Sequence, residues 1–363
     1  MKFKKIIHIT GVRSLTAGQR QQLKSEYNAS LKLNSVEWKT IVFHIGEPKG
    51  PFEKRIPFFF RPLFLRNLYI WLKVLSYKNQ YDLILLRHMT FDPFALIFSY
   101  FLKNRISVHH AKEIEELKLI RKGWKGKLVS LIEVITGKIS VNNSAAIIGV
   151  TQEIAAYENE VRSSEKKLFT YPNGIDVENI ELVNDVRENN SLNIVFICGT
   201  FSEWHGLDLL IAAINKENRL DKSFKIHLIG KLNNKHIEML EGSSNFIVHG
   251  VMNKDEYIKV IEKCDIALGS LAMFRQNLKE GATLKVREML ALGIPVYSTH
   301  IDTSLQNNSI FYLYDEKLNI ENLYNFSLDM KNYTRSQVRE DVASYIDKAS
   351  ILQKLVNSLN LNL

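Results

Sequence analysis

Eleven short runs of β-branched and aromatic residues alternate with longer stretches of helical periodicity, and this alternation restricts the fold more than any other feature of the chain. Parallel neighbours can be joined only by a long crossover, so strand, helix, strand in repetition specifies a parallel sheet covered on both faces. "KKIIHIT", "WKTIVFHI", "DLILLRH", "RISVHH" and "AAIIGV" supply a first sheet. "LNIVFICG", "FKIHLIG", "NFIVHG", "DIALGS", "IPVYST" and "IFYLY" supply a second. A chain of 363 residues is too long for one compact core. The expected class is therefore α/β, with two Rossmann-like domains. The break falls near "YPNGID", Tyr171 to Asp176, a Pro-Asn-Gly turn followed by the polar run "NDVRENNS". Domains over 1–170 and 171–342 follow, and 343–363 ends an amphipathic tail of one or two helices with no strand after it.

Charge separates the halves. Residues 1–170 hold 28 Lys and Arg against 14 Asp and Glu, whereas the remainder holds 20 against 25. The basic half suits nucleic acid, an anionic membrane or a phosphorylated substrate. Within it, residues 51–79 interleave Phe, Leu, Trp and Tyr with Lys and Arg, the composition either of a peripheral contact with an anionic inner membrane or of an ordinary helix whose apolar face covers the sheet. The longest apolar window, "FALIFSYFL", falls far below the roughly 20 residues of a spanning helix. "MKFKKIIHIT" reads as a first buried strand rather than a leader. Cys198 and Cys264 form neither a disulfide nor a metal pattern, which points to the reducing cytoplasm. No HExxH, CxxC or GxSxG is present, no aspartates lie two apart, and no nucleic-acid recognition module occurs.

Ligands of open α/β sheets bind beyond the carboxyl ends of the strands, which directs attention to the loops there. "CGTFSEWHG" passes from a strand through a loop containing Gly199, Thr200 and His205 to a helix. "LKEGATLKVRE" is the sharper signal. Glu280 stands on a loop, Thr283 is in position to cap a helix, and Glu288 lies a turn inside it. A diphosphate at that helix start meets the amides of Ala282, Thr283 and Leu284 and the ammonium of Lys285. Glu288 can then accept bonds from a ribose diol, and Glu280 from hydroxyls carried beyond the diphosphate. In the first domain, Gly11, Arg13 and Arg20 follow the first strand, Arg87 ends another, and His109 and His110 end "RISVHH". Adjacent strand residues face opposite ways, so one of the two histidines points into a site.

The run "EGATLKVRE" followed by "MLALGIPV" resembles the signature of retaining family 4 glycosyltransferases of the GT-B fold. "YPNGID", "GTFSEWHG", "LIG" ending at Gly230 and "HGVMNKDEYIKVIEKCDIAL" extend the resemblance, close in the second half and general in the first. It implies two domains facing across a cleft, with a C-terminal helix crossing back to the first. It implies a nucleotide-sugar donor, UDP- or GDP-linked, held as substrate with no metal or other cofactor, and a saccharide or lipid-linked saccharide acceptor. Surface-polysaccharide or lipopolysaccharide synthesis is the setting it suggests. Carried over, Glu280, Lys285 and His110 serve the reacting sugar and diphosphate, Gly250 and Val251 meet the base, and Arg13, Arg20, Arg87 and His109 face the acceptor. Many members carry Arg and Lys where this chain has Thr200 and His205. The diphosphate then depends on amides, Lys285 and either Arg275 or Lys279. An epimerase or hydrolase of the same fold, or a non-catalytic adaptor that binds nucleotide sugars, are the competing expectations.

Overall fold

The computed structural model describes residues 2–120, 123–188, 190–217 and 224–363, without the side chains at 118–120, 125 and 127. It divides into two units, Met1–Asp176 with Lys348–Leu363, and Val177–Asp347. Among the described residues no helix is long and apolar enough to cross a membrane.

The first unit runs β1 (Lys5–Gly11), α1 (Ala17–Ser30), β2 (Glu37–His44), β3 (Glu53–Arg55), α2 (Leu63–Tyr77), β4 (Leu83–Arg87) and α3 (Ala95–Phe98). It continues through β5 (Arg105–His109), α4 (Glu113–Ile120), α5 (Trp124–Asn142), β6 (Ala146–Gly149), α6 (Gln152–Val161) and β7 (Lys167–Thr170). The strands form one sheet in the order β3-β2-β1-β4-β5-β6-β7. Alternation along β1 and β4 divides the core. Ile7, Ile9, Ile84 and Leu86 pack with Ile70, Trp71 and Val74 of α2 on one face. The stretch "FDPFALIFSYFLK" reads as one helix in sequence. In the fold it is α3 followed by a 3₁₀ turn at Ser99–Phe101, and Leu102, at φ −125° and ψ 64°, ends it.

The second unit contains β8 (Leu192–Thr200), α7 (Leu207–Lys216), β9 (Phe224–Lys231), α8 (Asn234–Leu240), β10 (Phe246–Gly250), α9 (Lys254–Ile261) and β11 (Ile266–Leu268). Then follow α10 (Leu284–Ala291), β12 (Val296–Ser298), β13 (Tyr312–Tyr314), α11 (Ile320–Asp329) and α12 (Arg335–Ile346). Its sheet runs β10-β9-β8-β11-β12-β13. Strand order therefore reverses between β8 and β11, as it does between β1 and β4 in the first unit. Loops diverge at such a switch point and leave a crevice at the carboxyl edge.

A last helix, α13 (Lys348–Asn362), returns to the first unit. Ile351, Leu352, Leu355, Val356 and Leu359 cover the other sheet face against Ile6, Leu85, Ile106, Val108 and Ile148. A buried polar cluster fastens it. The Glu26 carboxylate lies 2.8 Å from His8 Nδ1 and accepts from the Thr40 hydroxyl (2.7 Å) and the Tyr171 hydroxyl (3.0 Å). Lys348 Nζ sits 3.6 Å over the Tyr171 ring, and the Lys348 N–H donates to Ile175 O at 2.9 Å. Burial alone would raise the Glu26 carboxyl, but His8, Lys348 and Thr40 outweigh it and hold the pKa at about 2.

Candidate active site

In the second unit, β8 and β9 approach so closely near their carboxyl ends that a Cβ on Gly230 would lie 1.7 Å from Cys198 O, and Gly230 takes φ +133°. Only glycine tolerates both. The loop after β8 then folds tightly. Its Ser202 N–H donates to His205 Nδ1 at 2.9 Å, and Gly206, at φ +75°, starts α7. Leu271 N–H and Ala272 N–H donate to the carbonyls of His205 (2.9 Å) and Trp204 (3.2 Å), which ties this loop to the one after β11.

Because His205 Nδ1 accepts, its proton sits on Nε2. Burial, helped by the nearby Lys285 ammonium, drives its pKa down to about 3. At this position the chain thus offers a neutral N–H donor. Lys285, in the first turn of α10, has Nζ 3.6 Å from Cys198 Sγ and 4.7 Å over the Phe196 ring. Burial lowers its pKa from the ordinary lysine value, and Cys198 partly offsets this. It is a cation beside helix-terminal amides that have no carbonyl one turn earlier. Thr283 occupies the cap position without making a side-chain cap, and its Oγ1 is buried with no partner among the described residues.

Glu280 is held by its backbone. It bridges Ile301 in parallel pairing, with Gly281 N–H donating to Ile301 O (2.8 Å) and Ile301 N–H to Lys279 O (2.9 Å). A buried Arg287–Asp302 ion pair ties α10 to the same segment. Glu288 accepts the Tyr257 hydroxyl at 2.9 Å. Arg275 is already taken: it reaches both Asp208 oxygens at 2.9 and 2.8 Å. Gly199 has open space around it, Thr200 is exposed at the end of β8, Gly250 takes φ +74°, and Val251 is 74% exposed. Sequence inspection passed over His300. Fully buried beyond β12, it lies 2.6 Å from Ser298 Oγ through Nδ1, presses on Gly281, and has no partner for Nε2 among the described residues. Its position two residues past a strand end was the available signal.

A hollow of about 660 Å³ on this unit is lined by Leu271, Phe274, Lys279 and Ile301. Glu280, Lys285 and Glu288 do not line it, so this hollow and the polar constellation are separate features.

In the first unit the switch point carries a hollow of about 210 Å³, lined by Gly11, Arg87, His88, His110, Glu113 and Glu116 among others. This settles the paired histidines. His110 lines the hollow, and burial, with Arg87 beside it, pushes its pKa well below the usual value. His109 is turned under the hollow, 2.9 Å from Glu113 through Nδ1 and 2.9 Å from Ser107 through Nε2. Arg13 lines a wider hollow with Phe58, Phe59 and Arg66. Arg20 lines neither, contrary to its sequence assignment, because its guanidinium is held by Glu53 at 2.9 and 3.2 Å.

Beneath His110 lies a buried charged network. His88 Nε2 is 2.8 Å from Glu133, Arg162 bridges Glu133 (2.7 Å) and Glu158 (3.1 Å), and Glu158 accepts the Glu113 N–H at 3.2 Å. His109, Glu113 and Glu158 place ligand atoms close enough for one metal ion, although the Arg162 guanidinium already occupies Glu158. Burial, then the neighbouring Glu113 carboxylate, raises Glu158 from 4.5 to about 8. The proton it retains stabilises the fold, so its contribution is complete below pH 4.5 and declines as pH rises toward 8. Urea midpoints of the wild type should fall between pH 5.5 and about 8.5, and Glu158→Gln should flatten that slope. Parallel slopes in the two proteins would refute the assignment.

Two Rossmann-like units with these strand orders constitute the architecture of the GT-B glycosyltransferases. Residues 192–314, which contain Lys285 and both glutamates, match the family described as Glycosyl transferases group 1. The fold is similar to that of the Anabaena protein Alr3699/HepE in complex with UDP and glucose, at TM-score 0.60 and 14% identity over 99% of this chain and 100% of the other. It is also similar to the lipopolysaccharide outer core galactosyltransferase WaaB, at 0.62 and 11% over 98% and 99%. Sucrose-phosphate synthase from Thermosynechococcus elongatus matches at 0.60 and 15% over 99% and 100%. No curated protein matches the chain in sequence.

Proposed function

We propose that this protein is a glycosyltransferase that moves a sugar from a UDP- or GDP-linked donor to a saccharide or lipid-linked saccharide, with retention at the anomeric carbon and without a metal. The observation that carries the proposal is Lys285, a half-buried ammonium in the first turn of α10 between Glu280 and Glu288. Family likeness over 192–314 and the complex of HepE with UDP and glucose support it. The donor diphosphate lies on the α10 amides and Lys285, with the His205 Nε2–H as a further donor. Glu288 takes the ribose diol, and Glu280 takes hydroxyls of the transferred sugar.

As the bond between C1 and the diphosphate oxygen breaks, charge accumulates on the leaving phosphate, where fixed donors stabilise it most. The acceptor oxygen bonds to C1 from the same face, and its proton passes to the departing phosphate oxygen. His110, kept neutral, is suited to hydrogen-bond the reacting sugar. The setting we favour is surface-polysaccharide synthesis in the cytoplasm, with peripheral contact to the inner membrane.

Nucleotide release from UDP- and GDP-sugars should be measurable for the wild type and reduced about 10²-fold or more by Glu280→Ala, in line with loss of a contact that strengthens toward the transition state. Turnover of no donor, or equal rates in the two proteins, would overturn the proposal.

A further inference from the structure

The charges at the start of α2 are the reverse of those a helix start attracts. An N-terminus presents unsatisfied N–H groups and the positive end of the helix dipole, which acids favour and cations oppose. α2 has Arg61 just ahead of its cap position and Arg66 one turn in, with no acid in its first turn. Pro62, at the cap position, makes no side-chain cap. From Lys54 to Tyr81 the sequence contains no Asp or Glu. The loop after β1 adds a third cation, Arg13, whose carbonyl accepts the Ile45 N–H at 3.1 Å.

Arg13, Arg61 and Arg66 line one hollow of about 860 Å³, and Ile45, Phe58, Phe59 and Leu63 give it apolar walls. Neighbouring arginines are neutralised, Arg20 by Glu53 and Arg55 by Glu47. These three have no acidic partner among the described residues. Arg61 lies 5.1 Å over the Phe58 ring, and its Nε is buried with no hydrogen-bond partner among the described residues. Burial, and then the Arg13 charge, lower the Arg66 pKa. Three like charges thus oppose one another and the dipole of α2, and an anion would offset all of these terms. Leu63 and Arg66 also line the smaller hollow that holds His110 and Arg87, so the two hollows share a wall.

We propose that Arg13, Arg61, Arg66 and the first amides of α2 form a binding site for a phosphate or diphosphate ester. The anion site stands on the first unit alone. Its role rests on the transferase reading, in which the acceptor carries this group and sets its sugar in the adjoining hollow against His110. Donor supply selects the anion. Each guanidinium offers five N–H donors, whereas a carboxylate has only about four lone-pair sites. Phosphate oxygens suit both arginine forks and helix amides, and a diphosphate comes nearest to balancing three cations.

Calorimetric titration of the full chain with inorganic pyrophosphate, with excess UDP present to fill the donor site, tests this. Binding should be saturable, and the double variant Arg61→Gln, Arg66→Gln should weaken it at least about tenfold. Lys285→Met should bind pyrophosphate as the wild type does. Pyrophosphate should raise the urea midpoint of the wild type and leave that of the double variant unmoved. Without pyrophosphate, the double variant should be as stable as the wild type or more so, whereas arginines that merely hold the fold would lower the midpoint when replaced. Farnesyl diphosphate distinguishes the sources of the group. Tighter binding than pyrophosphate marks a lipid-linked ester held by Phe58 and Phe59, and equal binding marks a water-soluble one. The proposal is overturned if pyrophosphate does not bind, if the double variant binds it equally well, or if glucuronate binds as tightly. Attachment to phosphatidylglycerol vesicles without binding of soluble phosphates overturns it as well. UDP titrated alone reads the donor site: its failure with pyrophosphate binding intact removes the transferase reading and leaves the anion site standing.

Discussion

Lys285→Met should lower kcat/KM for nucleotide-sugar turnover by about 10²–10³, the usual loss when one fixed donor to a developing anion is removed. Methionine preserves most of the volume over the Phe196 ring and beside Cys198, so the urea midpoint should stay the same or rise. A large kinetic loss with unchanged stability separates electrostatic stabilisation from packing. The lowered lysine pKa has a further consequence, because activity that needs the ammonium must decline at a lower pH than an ordinary lysine would impose. Turnover of the variant within threefold of wild type would exclude this residue from the chemistry.

Glu26→Ala should be the most damaging change outside the candidate site, costing about 3–5 kcal/mol, since it leaves His8 and Lys348 buried without their carboxylate. The donors on Thr40 and Tyr171 lose their acceptor as well. Its wild-type pH dependence has a definite sign. The carboxyl is held at about 2 in the fold against 4.5 otherwise, so its contribution is present above pH 4.5 and vanishes as pH falls toward 2. Urea unfolding between pH 2 and 6 should show a rise in wild-type stability that is shallower in Glu26→Ala. Equal midpoints for the two proteins at pH 6 would show that the cluster does not hold α13.

Much of this architecture can be read directly from the sequence, for a physical reason. Strands of a parallel sheet are rich in β-branched and aromatic residues, so all six strands of the second sheet stand out, the partly exposed β10 included, from Leu192–Thr200 to Tyr312–Tyr314. β3 does not, because Glu53–Arg55 is charged and becomes a strand only through its pairing with β2. α4 and α8 are only eight and seven residues long, so their apolar periodicity is too brief to register. Within the site, Glu280, Lys285 and Glu288 are legible because helix and loop fix their spacing. Arg20 and His300 are not. Whether an arginine is free or held by Glu53, and whether a histidine past β12 reaches Gly281, depends on partners more than fifteen residues away. The inward side of α5 is hidden for the same reason, because Glu133 finds its partner Arg162 far along the chain.

The return of α13 also fixes an order of events during synthesis. The second unit is one continuous stretch, whereas the first waits for residues made after it. At ordinary elongation rates the roughly 170 intervening residues take about ten to thirty seconds to emerge. Throughout that interval Ile6, Leu85, Ile106, Val108 and Ile148 lack their cover, and Glu26 lacks Lys348. The half of the chain that leaves the ribosome first is thus the half that finishes folding last, and for that time its open sheet face is a natural client for a chaperone.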